Sequence, residues 1–219
     1  MKFKYRLTEE EQTSNVEAWI PKTSIGRMVK NREITSIEQI FAMGKPIKEV
    51  EIVDSLISVR NDVIEIASVQ RMTKNNRRQK YRVTVIVGDM NGHVGVGTAK
   101  DVEVKPAIAS AIKNAKLHII PVRFGCGSWE CSCGTGHSLP IKSVGRCGSA
   151  EVILKPAPRG VGIVANKIVK SVLMHAGAKD VWSFSRGRTK DIYNTALATY
   201  QALGKINKIK NSEALKVGA

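Results

Sequence analysis

The densest group of basic side chains lies in the nine-residue segment KNNRRQKYR, residues 74–82. Its side chains suited to phosphate are Lys74, Asn75, Asn76, Arg77, Arg78, Lys80 and Arg82. An arginine guanidinium group matches a phosphate with two parallel hydrogen bonds, and each neutralised phosphate releases counterions. The segment therefore predicts a contact with nucleic acid. The alternative is a solvated basic loop that only keeps the protein soluble, a role that does not require so many arginines.

A second set of basic residues surrounds the turn PAPRGVG, residues 156–162. Arg159 stands between Pro158 and Gly160, and the two prolines and two glycines are expected to fix the turn and so pre-position its charge. The pattern places a helix directly after the turn, and a helix N-terminus favours anions. Further candidates for contact with nucleic acid are Arg123, Lys142, Arg146 and Lys155. The alternative is a structural turn with exposed charges.

Cysteine and histidine form the pattern C-x4-C-x-C-x3-H, through Cys126, Cys131, Cys133 and His137, and Cys147 is a further possible ligand. Zinc accepts such ligands in a tetrahedral site. The spacing differs from a C-x2-C knuckle, however, and C-x-C strains tetrahedral geometry. The sequence therefore favours reduced, partly buried thiols and no cofactor, with zinc as the alternative.

The sequence contains no recognisable catalytic set. Its four histidines, His93, His118, His137 and His175, are scattered, and no H-E-x-x-H helix is present. The glycine-rich runs lack the full spacing of a dinucleotide fingerprint and the Gly-Lys-Ser/Thr of a P-loop. These absences weigh against an enzyme. Two rivals stay open at this point: an RNA-modifying enzyme with a Cys/His zinc site, and a free-standing regulator that binds double-stranded RNA.

The whole chain is strongly basic, with 35 Lys+Arg against 19 Asp+Glu and a net charge of +16 in 219 residues. Such a field attracts polyanions, either nucleic acid or an anionic membrane. No apolar run approaches the roughly 20 residues that span a bilayer, and the start of the chain is not a signal peptide. We therefore expect no membrane partner, a cytoplasmic location and reduced thiols.

These residues need a scaffold, and the hydrophobic periodicity predicts an α+β fold. Residues 1–60 form an extension with two short helices, one through Ile37, Ile40 and Phe41, the other through Val50 and Val53. Residues 61–124 form three antiparallel strands and a helix, which makes 74–82 a hairpin loop. The Asn91-Gly92 pair predicts a tight turn between the second and third strands. The helix carries Lys105, Lys113 and Lys116 off its apolar stripe.

The rest of the chain predicts a linker and a second α+β domain. Residues 125–147 are a Gly/Cys-rich linker loop, and residues 148–205 contain a strand, the PAPRGVG turn, a helix, a short strand and a last helix. Gly177 ends the first of these helices. The apolar face predicted for the last helix consists of Ile192, Ala196, Leu197, Tyr200 and Leu203, with Gly204 after the helix. Residues 206–219 form a basic tail.

Three long segments resemble a known family. VQRMTKNNRRQKYRVTVIVGDMNGHVGVGTAKDVEVKPAIASAIKNAKLHIIPV is similar to the double-stranded-RNA-binding-like domain of the universal S-five family of small-subunit ribosomal proteins. FGCGSWECSCGTGHSLP and GRCGSAEVILKPAPRGVGIVANKIVKSVLMHAGAKDVWSFSRGRT resemble its linker and C-terminal domain. The GSWEC insert and the long N-terminal extension are similar to archaeal members. The resemblance implies an α-β-β-β-α domain followed by a βαβα domain.

The resemblance also implies a function without a reaction. Family members are structural constituents of the small subunit that bind its rRNA, contact the neighbouring S-four protein, lie near the mRNA entry channel and support translational accuracy. The family's hairpin loop that touches rRNA corresponds to Lys74–Arg82 here, and PAPRGVGIV corresponds to a turn that packs against rRNA and a neighbouring protein. Bacterial members carry Gly-Gly in the loop, where this chain has Asn75-Asn76, which adopt a positive φ at some cost. The cysteines have no bacterial counterpart.

Overall fold

The computed structural model describes residues 19–131 and 133–208, and the chain divides into two compact units, Met1–Ile119 and Ile120–Ala219. Both units mix helices with β-sheet, so the predicted α+β class is confirmed. Most of the predicted basic tail, and the first 18 residues of the predicted extension, lie outside the described residues.

From residue 19 onward, three short helices precede the first sheet: α1 (Ser24–Lys30), α2 (Ile37–Ala42) and α3 (Val50–Leu56). Helices α2 and α3 were predicted, and Gly44, with a φ of +66°, follows α2 as expected. Helix α1 was missed because only Ile25, Gly26 and Val29 are buried in its seven residues, which is too short a stripe for a periodic signal. The hydroxyl of Thr23 accepts a hydrogen bond from the N–H of Gly26 at 3.1 Å and caps the helix.

The first sheet has the order β1 (Arg60–Met72), β2 (Arg77–Gly88), β3 (His93–Asp101), β4 (Ile119–Pro121), and helix α4 (Val104–Leu117) packs on it. Strands β1, β2 and β3 pair in antiparallel fashion, which is the predicted meander. The fully buried Val83, Val85 and Val87 of β2 share one core with α4 and with the helices before the sheet.

Glycines in β3 set the distance between this sheet and α4. A Cβ atom added to Gly95 would lie 2.2 Å from the carbonyl oxygen of Ala115, and one added to Gly97 would lie 2.3 Å from the backbone nitrogen of Ala115. Both separations are far below van der Waals contact, so the helix backbone rests on the strand backbone. Glycine is required at both positions because no larger residue fits between them.

Lys116 departs from its predicted exposed position on α4. The side chain is buried, and its Nζ lies 2.5 Å from Oδ1 of Asp54 in α3. A buried ammonium group is tolerated only with such a partner, because the desolvation of an unpaired charge is costly. The ion pair thus fixes α3 against α4.

The turn between β2 and β3 forms as predicted, with a different residue in the left-handed region. Met90 (φ +62°) and Gly92 (φ +114°) adopt positive φ, while Asn91 does not. The carboxylate of Asp89 explains this shape, because its Oδ1 accepts hydrogen bonds from the N–H groups of Asn91 and His93 at 2.8 and 3.0 Å. Its Oδ2 lies 2.6 Å from Nδ1 of His93. Burial raises the pKa of Asp89, but these hydrogen bonds outweigh burial and the pKa lies below its ordinary value.

The described part of the second unit, up to residue 208, contains a four-stranded sheet with two helices. Its elements are β5 (Ser143–Cys147), β6 (Ala150–Pro156), β7 (Ile163–Val164), α5 (Lys167–Ala176), β8 (Val181–Arg186) and α6 (Ile192–Ile206). The strand order is β5-β6-β8-β7, with β7 parallel to β8 and the other pairs antiparallel. Strand β5 falls within the predicted linker, and Gly148, predicted to start a strand, lies in the β5–β6 turn with a φ of +58°. Gly177 ends α5 with a φ of +94°, as predicted.

Helix α6 buries a different face from the one predicted. Its buried residues are Thr195, Ala196, Ala198, Thr199, Ala202, Leu203 and Ile206, and the helix continues through Gly204. The reason is again a close approach, because a Cβ atom on Gly145 of β5 would lie 1.9 Å from the carbonyl oxygen of Ala198. Small side chains therefore face the sheet, while Leu197 and Tyr200 are only half-buried.

We expect Gly97→Ala to destabilise the full chain by about 3 kcal/mol or more, because the new methyl group overlaps backbone atoms of α4 that have no room to move. The measurement is the free energy of unfolding from urea denaturation. The matched control is Gly204→Ala, where the new Cβ meets only Cδ1 of Ile120 at 3.5 Å. This control should leave stability unchanged or raise it by up to about 1 kcal/mol, since alanine favours helix. Equal stability of the two variants would contradict the packing described for β3 and α4.

We expect Asp89→Asn to lower stability by about 1–2 kcal/mol at pH 7, because the amide keeps the backbone hydrogen bonds but loses the charge. The folded-state pKa of Asp89 is depressed, so the wild-type advantage is complete above the ordinary pKa of 3.8 and is lost as the pH falls through the folded-state pKa. Urea unfolding of both chains between pH 7 and pH 3 checks this. Curves that stay parallel down to pH 3 would show that the carboxylate charge contributes nothing to the turn.

Candidate nucleic-acid interface and metal centre

The basic segment 74–82 is a two-stranded ribbon, and the prediction that it is a hairpin loop is wrong for most of its length. Only residues 73–76 connect β1 to β2, and Arg77 onward belongs to β2, with Met72 opposite Arg77 and Val69 opposite Lys80. Strand β3 pairs with β2 only from Tyr81 onward. The ends of β1 and β2 therefore extend beyond the third strand. We call residues 69–80 the basic ribbon.

The tip of the basic ribbon is tightly hydrogen-bonded. The N–H and the hydroxyl of Thr73 both donate to the carbonyl oxygen of Asn76, at 3.0 and 2.5 Å, and Oδ1 of Asn76 accepts from the N–H of Arg77 at 2.7 Å. Neither Asn75 nor Asn76 adopts a positive φ, so the cost expected from their replacing Gly-Gly does not arise. The ladder and the tip together give exposed basic side chains a defined backbone.

Alternation along β2 sorts the charges of the ribbon onto two faces. Arg78 and Lys80 lie on one face, Arg77 lies on the other, and Lys74 stands at the tip; all four are exposed. Arg71 of β1 is directly opposite Arg78, so two arginines form a cross-strand pair. The sequence prediction missed Arg71, because the end of β1 is exposed and no buried alternation marks it as a strand. Like charges that face each other destabilise a sheet unless an anion lies between them.

Arg82, at the base of the ribbon, differs from the other predicted cations of the segment in its surroundings. Its guanidinium group is half-buried, and one nitrogen lies 3.9 Å from Oε2 of Glu65. An arginine held by a carboxylate of its own sheet is less available to phosphate than the exposed Arg77 or Arg78. The structure therefore places Lys74, Asn75, Asn76, Arg77, Arg78 and Lys80 together on the ribbon, and Arg82 beside it.

The basic residues predicted in the second unit are spread over separate elements. Arg146 is exposed on β5 opposite Glu151, and its Nε donates to the carbonyl of Gly148 at 3.4 Å. Lys155 lies on β6 with Nζ 4.8 Å from the centre of the Phe184 ring, a cation–π contact. At about 3.3 Å per residue along β6, Lys155 lies roughly 13 Å from the position opposite Arg146. Arg123 and Lys142 are exposed in the irregular segment before β5.

The turn of Arg159 is fixed, as predicted, but the helix predicted directly after it does not follow at once, because β7 separates the turn from α5. Gly160 (φ +93°) and Gly162 (φ +73°) adopt the left-handed conformation that glycine allows. Their N–H groups donate to Oδ1 of Asp180 at 3.1 and 2.8 Å, and the carbonyl of Gly162 accepts from the N–H of Val181. The exposed Arg159 thus extends from a backbone that a buried carboxylate holds in place.

The four residues of the cysteine pattern converge in space. The sulfur atoms of Cys126, Cys131 and Cys133 and a ring nitrogen of His137 all lie within 4.8 Å of one another, and the separation of Cys131 Sγ from His137 Nε2 is 3.8 Å. We call these four residues the cysteine cluster. A bridge between Gly125 and Ser138 closes the loop that carries them. The further candidate Cys147 stands apart, on β5, where its thiol donates to Oδ1 of Asn194 at 3.7 Å.

A buried carboxylate orients the histidine of the cluster. Nδ1 of His137 lies 2.8 Å from Oδ2 of Asp180, and both side chains are less than 10% exposed. Burial raises the pKa of Asp180, but the N–H of Gly162, the His137 ring and the N–H of Gly160 outweigh it, so the pKa is lowered and the group is a carboxylate. A carboxylate only accepts hydrogen bonds, so Nδ1 carries the proton and Nε2 faces the sulfur atoms.

Hydrogen bonds favour the thiolate form of two of the three cluster cysteines, Cys131 and Cys133, whereas burial raises the pKa of the third, Cys126. The hydroxyl of Thr135 lies 3.2 Å from Cys133 Sγ, and this bond, with the N–H of Thr135 and the Cys131 thiol, lowers the pKa of Cys133 to about 6. For Cys131, the Cys133 thiol raises the pKa, but the N–H groups of Arg159 and Cys133 outweigh it and the pKa is lowered. Thiolate is the form of cysteine that ligates metals.

The remaining histidines of the described chain belong to local structure. His93 contacts Asp89 in the β2–β3 turn, and Nδ1 of His118 and of His175 lies near the carbonyl oxygen four residues earlier in its own helix. Each of these three histidines thus contacts a residue four positions earlier in the chain. In residues 19–131 and 133–208, moreover, no helix is long and apolar enough to cross a bilayer.

Comparison with known proteins agrees with the two-unit architecture. Residues 59–123 match the model of the ribosomal protein S5 N-terminal domain, and residues 145–216 match the S5 C-terminal domain. The chain is 52% identical over 202 residues to small ribosomal subunit protein uS5 of Methanococcus maripaludis, covering 92% of this chain and 90% of that protein. The chain belongs to the ribosomal protein S5 family.

Further archaeal S5 relatives agree over nearly the full length. The uS5 protein of Methanocaldococcus jannaschii is 50% identical over 203 residues, covering 92% of this chain and 94% of that protein. The uS5 protein of Metallosphaera sedula is 48% identical over 198 residues, covering 90% and 92%. The cysteine cluster, at residues 126–137, falls between the two segments that the S5 domain models match.

Membership of the S5 family settles the class of function. The chain is a ribosomal protein of the small subunit, and the predictions of a structural role, of no enzymatic activity and of a ribosomal, cytoplasmic location are confirmed by the family. The two rivals, an RNA-modifying enzyme and a free-standing RNA-binding regulator, are thereby set aside. The residues that contact rRNA and the neighbouring proteins are a separate question, which the geometry addresses.

Proposed function

We propose that this S5-family protein binds small-subunit rRNA through the basic ribbon, contacts the S-four protein near the mRNA entry channel and supports translational accuracy. The observation that carries the rRNA contact is the ribbon itself: five exposed basic residues on a hydrogen-bonded backbone that extends beyond the sheet. They are Arg71, Lys74, Arg77, Arg78 and Lys80. The contacts with S-four and mRNA are inferred from the family.

Electrostatics favours a polyanion as the partner of this ribbon. Arg71 and Arg78 face each other across two strands, and the net charge of +16 adds a repulsive background to that pair. A phosphate between the two guanidinium groups turns this repulsion into attraction, since each group forms two parallel hydrogen bonds to phosphate oxygens. The ribbon is already ordered by its ladder, so binding costs little conformational entropy.

The proposed mechanism is geometric. Rigid elements hold guanidinium and ammonium groups at fixed positions, and phosphate contacts of this kind fix register and orientation without reading sequence. In the first unit the ribbon supplies those groups, and in the second the Asp180-held turn supplies Arg159. Each element clamps the rRNA that it touches, and the path of the mRNA depends on the rRNA positions so fixed.

We expect Arg77→Ala/Arg78→Ala to weaken binding to an rRNA fragment and to reduce the salt slope, the change of log K with log salt concentration, by about one to two units. The measurement is a binding titration at four or more salt concentrations. The matched control is Lys105→Ala/Lys113→Ala, which removes two charges from the exposed face of α4 in the same unit.

Comparing the salt slopes of the two variants distinguishes a general effect of lost charge from a specific contact between the ribbon and phosphate. A specific contact makes the ribbon variant lose clearly more slope than the control. If both variants lose the same slope, or if the ribbon variant loses none, the ribbon is not the phosphate contact. The circular-dichroism spectrum of each variant confirms that the fold is retained, as expected for exposed side chains.

We expect Arg159→Ala to leave the free energy of unfolding within about 0.5 kcal/mol of wild type, because an exposed side chain is removed and the turn keeps its hydrogen bonds to Asp180. Occupancy in small subunits should fall, or the misreading rate of a reporter should change. These are measured by quantitative mass spectrometry of purified subunits and by the reporter in cells. Glu151→Ala, which removes a charge from β6 of the same unit, serves as the control.

The two measurements on Arg159→Ala separate function from stability. Normal occupancy together with normal misreading would mean that the turn has no role in the ribosome. A large loss of stability in the free protein would instead assign Arg159 to the fold of the second unit, and the proposed contact would be withdrawn.

A further inference from the structure

We propose that Cys126, Cys131, Cys133 and His137 bind one structural zinc ion. Nothing in the S5 domain matches requires such a site, because the cysteine cluster lies between the two matched segments. The proposal rests on the convergence of four ligand atoms of the types that zinc prefers in closed, structural sites. Iron–sulfur centres and disulfides are the alternatives that the experiment must exclude.

The geometry of the cluster fits a tetrahedral zinc ion. With zinc–sulfur bonds of about 2.3 Å, two sulfur ligands of a tetrahedron lie about 3.8 Å apart. The ligand atoms of the cluster lie within 4.8 Å of one another, and Cys131 Sγ and His137 Nε2 are 3.8 Å apart. Side-chain adjustments of an ångström or less therefore complete the site. The C-x-C spacing, which weighed against zinc in the sequence, does not prevent Cys131 and Cys133 from facing the same point.

The surroundings of the cluster are those of a metal site. The carboxylate of Asp180 holds Nδ1 of His137 at 2.8 Å, so that Nε2 is presented to the sulfur atoms, and metal-binding histidines are almost always oriented by such a partner. The hydroxyl of Thr135 donates to Cys133 Sγ and the N–H of Arg159 donates to Cys131 Sγ. Two of the three ligand sulfur atoms thus have outer hydrogen-bond donors, as the ligands of metal sites commonly do.

Charge balance supports the same assignment. Three thiolates and one neutral histidine around Zn²⁺ carry a net charge of −1, which requires compensation nearby. Arg159 and Lys179 line the pocket that also contains Thr135, His137 and Asp180. Together with the carboxylate of Asp180 the negative charge is −2, which the two cations balance. A disulfide would leave one of the three thiols unused.

The proposed ion would connect the cysteine loop to the turn of Arg159. Asp180 receives hydrogen bonds from His137 on one oxygen and from Gly160 and Gly162 on the other, and the N–H of Arg159 donates to a ligand sulfur. A metal bound by the loop therefore also restricts the turn. The zinc site would act as a substitute for an apolar core in a segment that contains few large buried side chains, as small metal-stapled domains do.

The decisive experiment measures metal in the full-length chain, purified without chelator, by inductively coupled plasma mass spectrometry. We expect about one equivalent of zinc per chain, and less than about one tenth in Cys133→Ser and in His137→Ala. The matched control is Cys147→Ser, which removes the cysteine that stands outside the cluster and should keep the full equivalent. Absence of zinc from wild type, with none taken up on titration with zinc chloride, overturns the proposal, and so does iron in its place.

A second measurement keeps the proposal testable if a ligand variant does not fold. Wild-type protein is alkylated with iodoacetamide, with and without prior removal of metal by a chelator, and the modified cysteines are mapped by mass spectrometry. We expect the chelator to expose Cys126, Cys131 and Cys133 to alkylation and to leave Cys147 unchanged. A disulfide between any two cluster cysteines, or equal labelling in both states, overturns the site.

The role of Asp180 is tested with a separate variant. Asp180→Asn keeps an oxygen that accepts from the N–H groups of Gly160 and Gly162. It presents an NH2 group to His137, however, and this group no longer holds the proton of the imidazole ring on Nδ1. We expect zinc affinity, measured by competition with a chromophoric chelator, to fall about ten- to hundred-fold. Unchanged affinity would show that the carboxylate does not position a ligand.

Discussion

The second unit depends on the buried carboxylate of Asp180. One oxygen accepts the N–H groups of Gly160 and Gly162, and the other accepts Nδ1–H of His137. The N–H of Asp180 itself donates to the carbonyl of His137. A buried charge is tolerated only when several donors satisfy it, so the two segments that supply those donors must meet at this point. The conformation of the Arg159 turn and that of the cysteine loop are thus two consequences of one interaction.

The periodicity of the sequence predicted most of the elements because most of them bury one continuous face. The stripe of α5 is an example, with Ile168, Val169, Val172, Leu173 and Ala176 all buried. Helix α6 shows where this fails. Its buried face contains Thr195 and Thr199. Their hydroxyls donate hydrogen bonds to carbonyl oxygens four residues earlier, at 2.7 and 2.8 Å, and are therefore satisfied although they are buried. A prediction that counts only apolar residues therefore assigns such a helix a buried face that is rotated from the observed one.

The parts of the candidate site that were missed share a physical cause, which is that they lack a buried face. The ends of β1 and β2 are exposed on both faces, so no alternation marks them as strands, and the basic ribbon was predicted as a loop. Arg71 was lost for the same reason. The cysteine pattern was visible, but its C-x-C spacing weighed against a zinc site. The deciding partner, Asp180, is 43 residues from His137, and no local pattern reports a contact of that range.

The two basic elements show how a protein of net charge +16 presents cations without relying on a large core. In the ribbon, the hydrogen-bond ladder between β1 and β2 holds Arg71 and Arg78 opposite each other against their repulsion. In the turn, the carboxylate of Asp180 accepts the hydrogen bonds that fix the backbone, and it also places a negative charge near Arg159 and Lys179. In both elements, the unfavourable free energy of bringing like charges together is a cost of folding and not of binding. An anion bound between two such arginines relieves their repulsion, which adds to the binding free energy. Because the backbone is already ordered, binding also loses little conformational entropy, so exposed arginines on a rigid backbone bind phosphate more effectively than the same residues on a flexible loop.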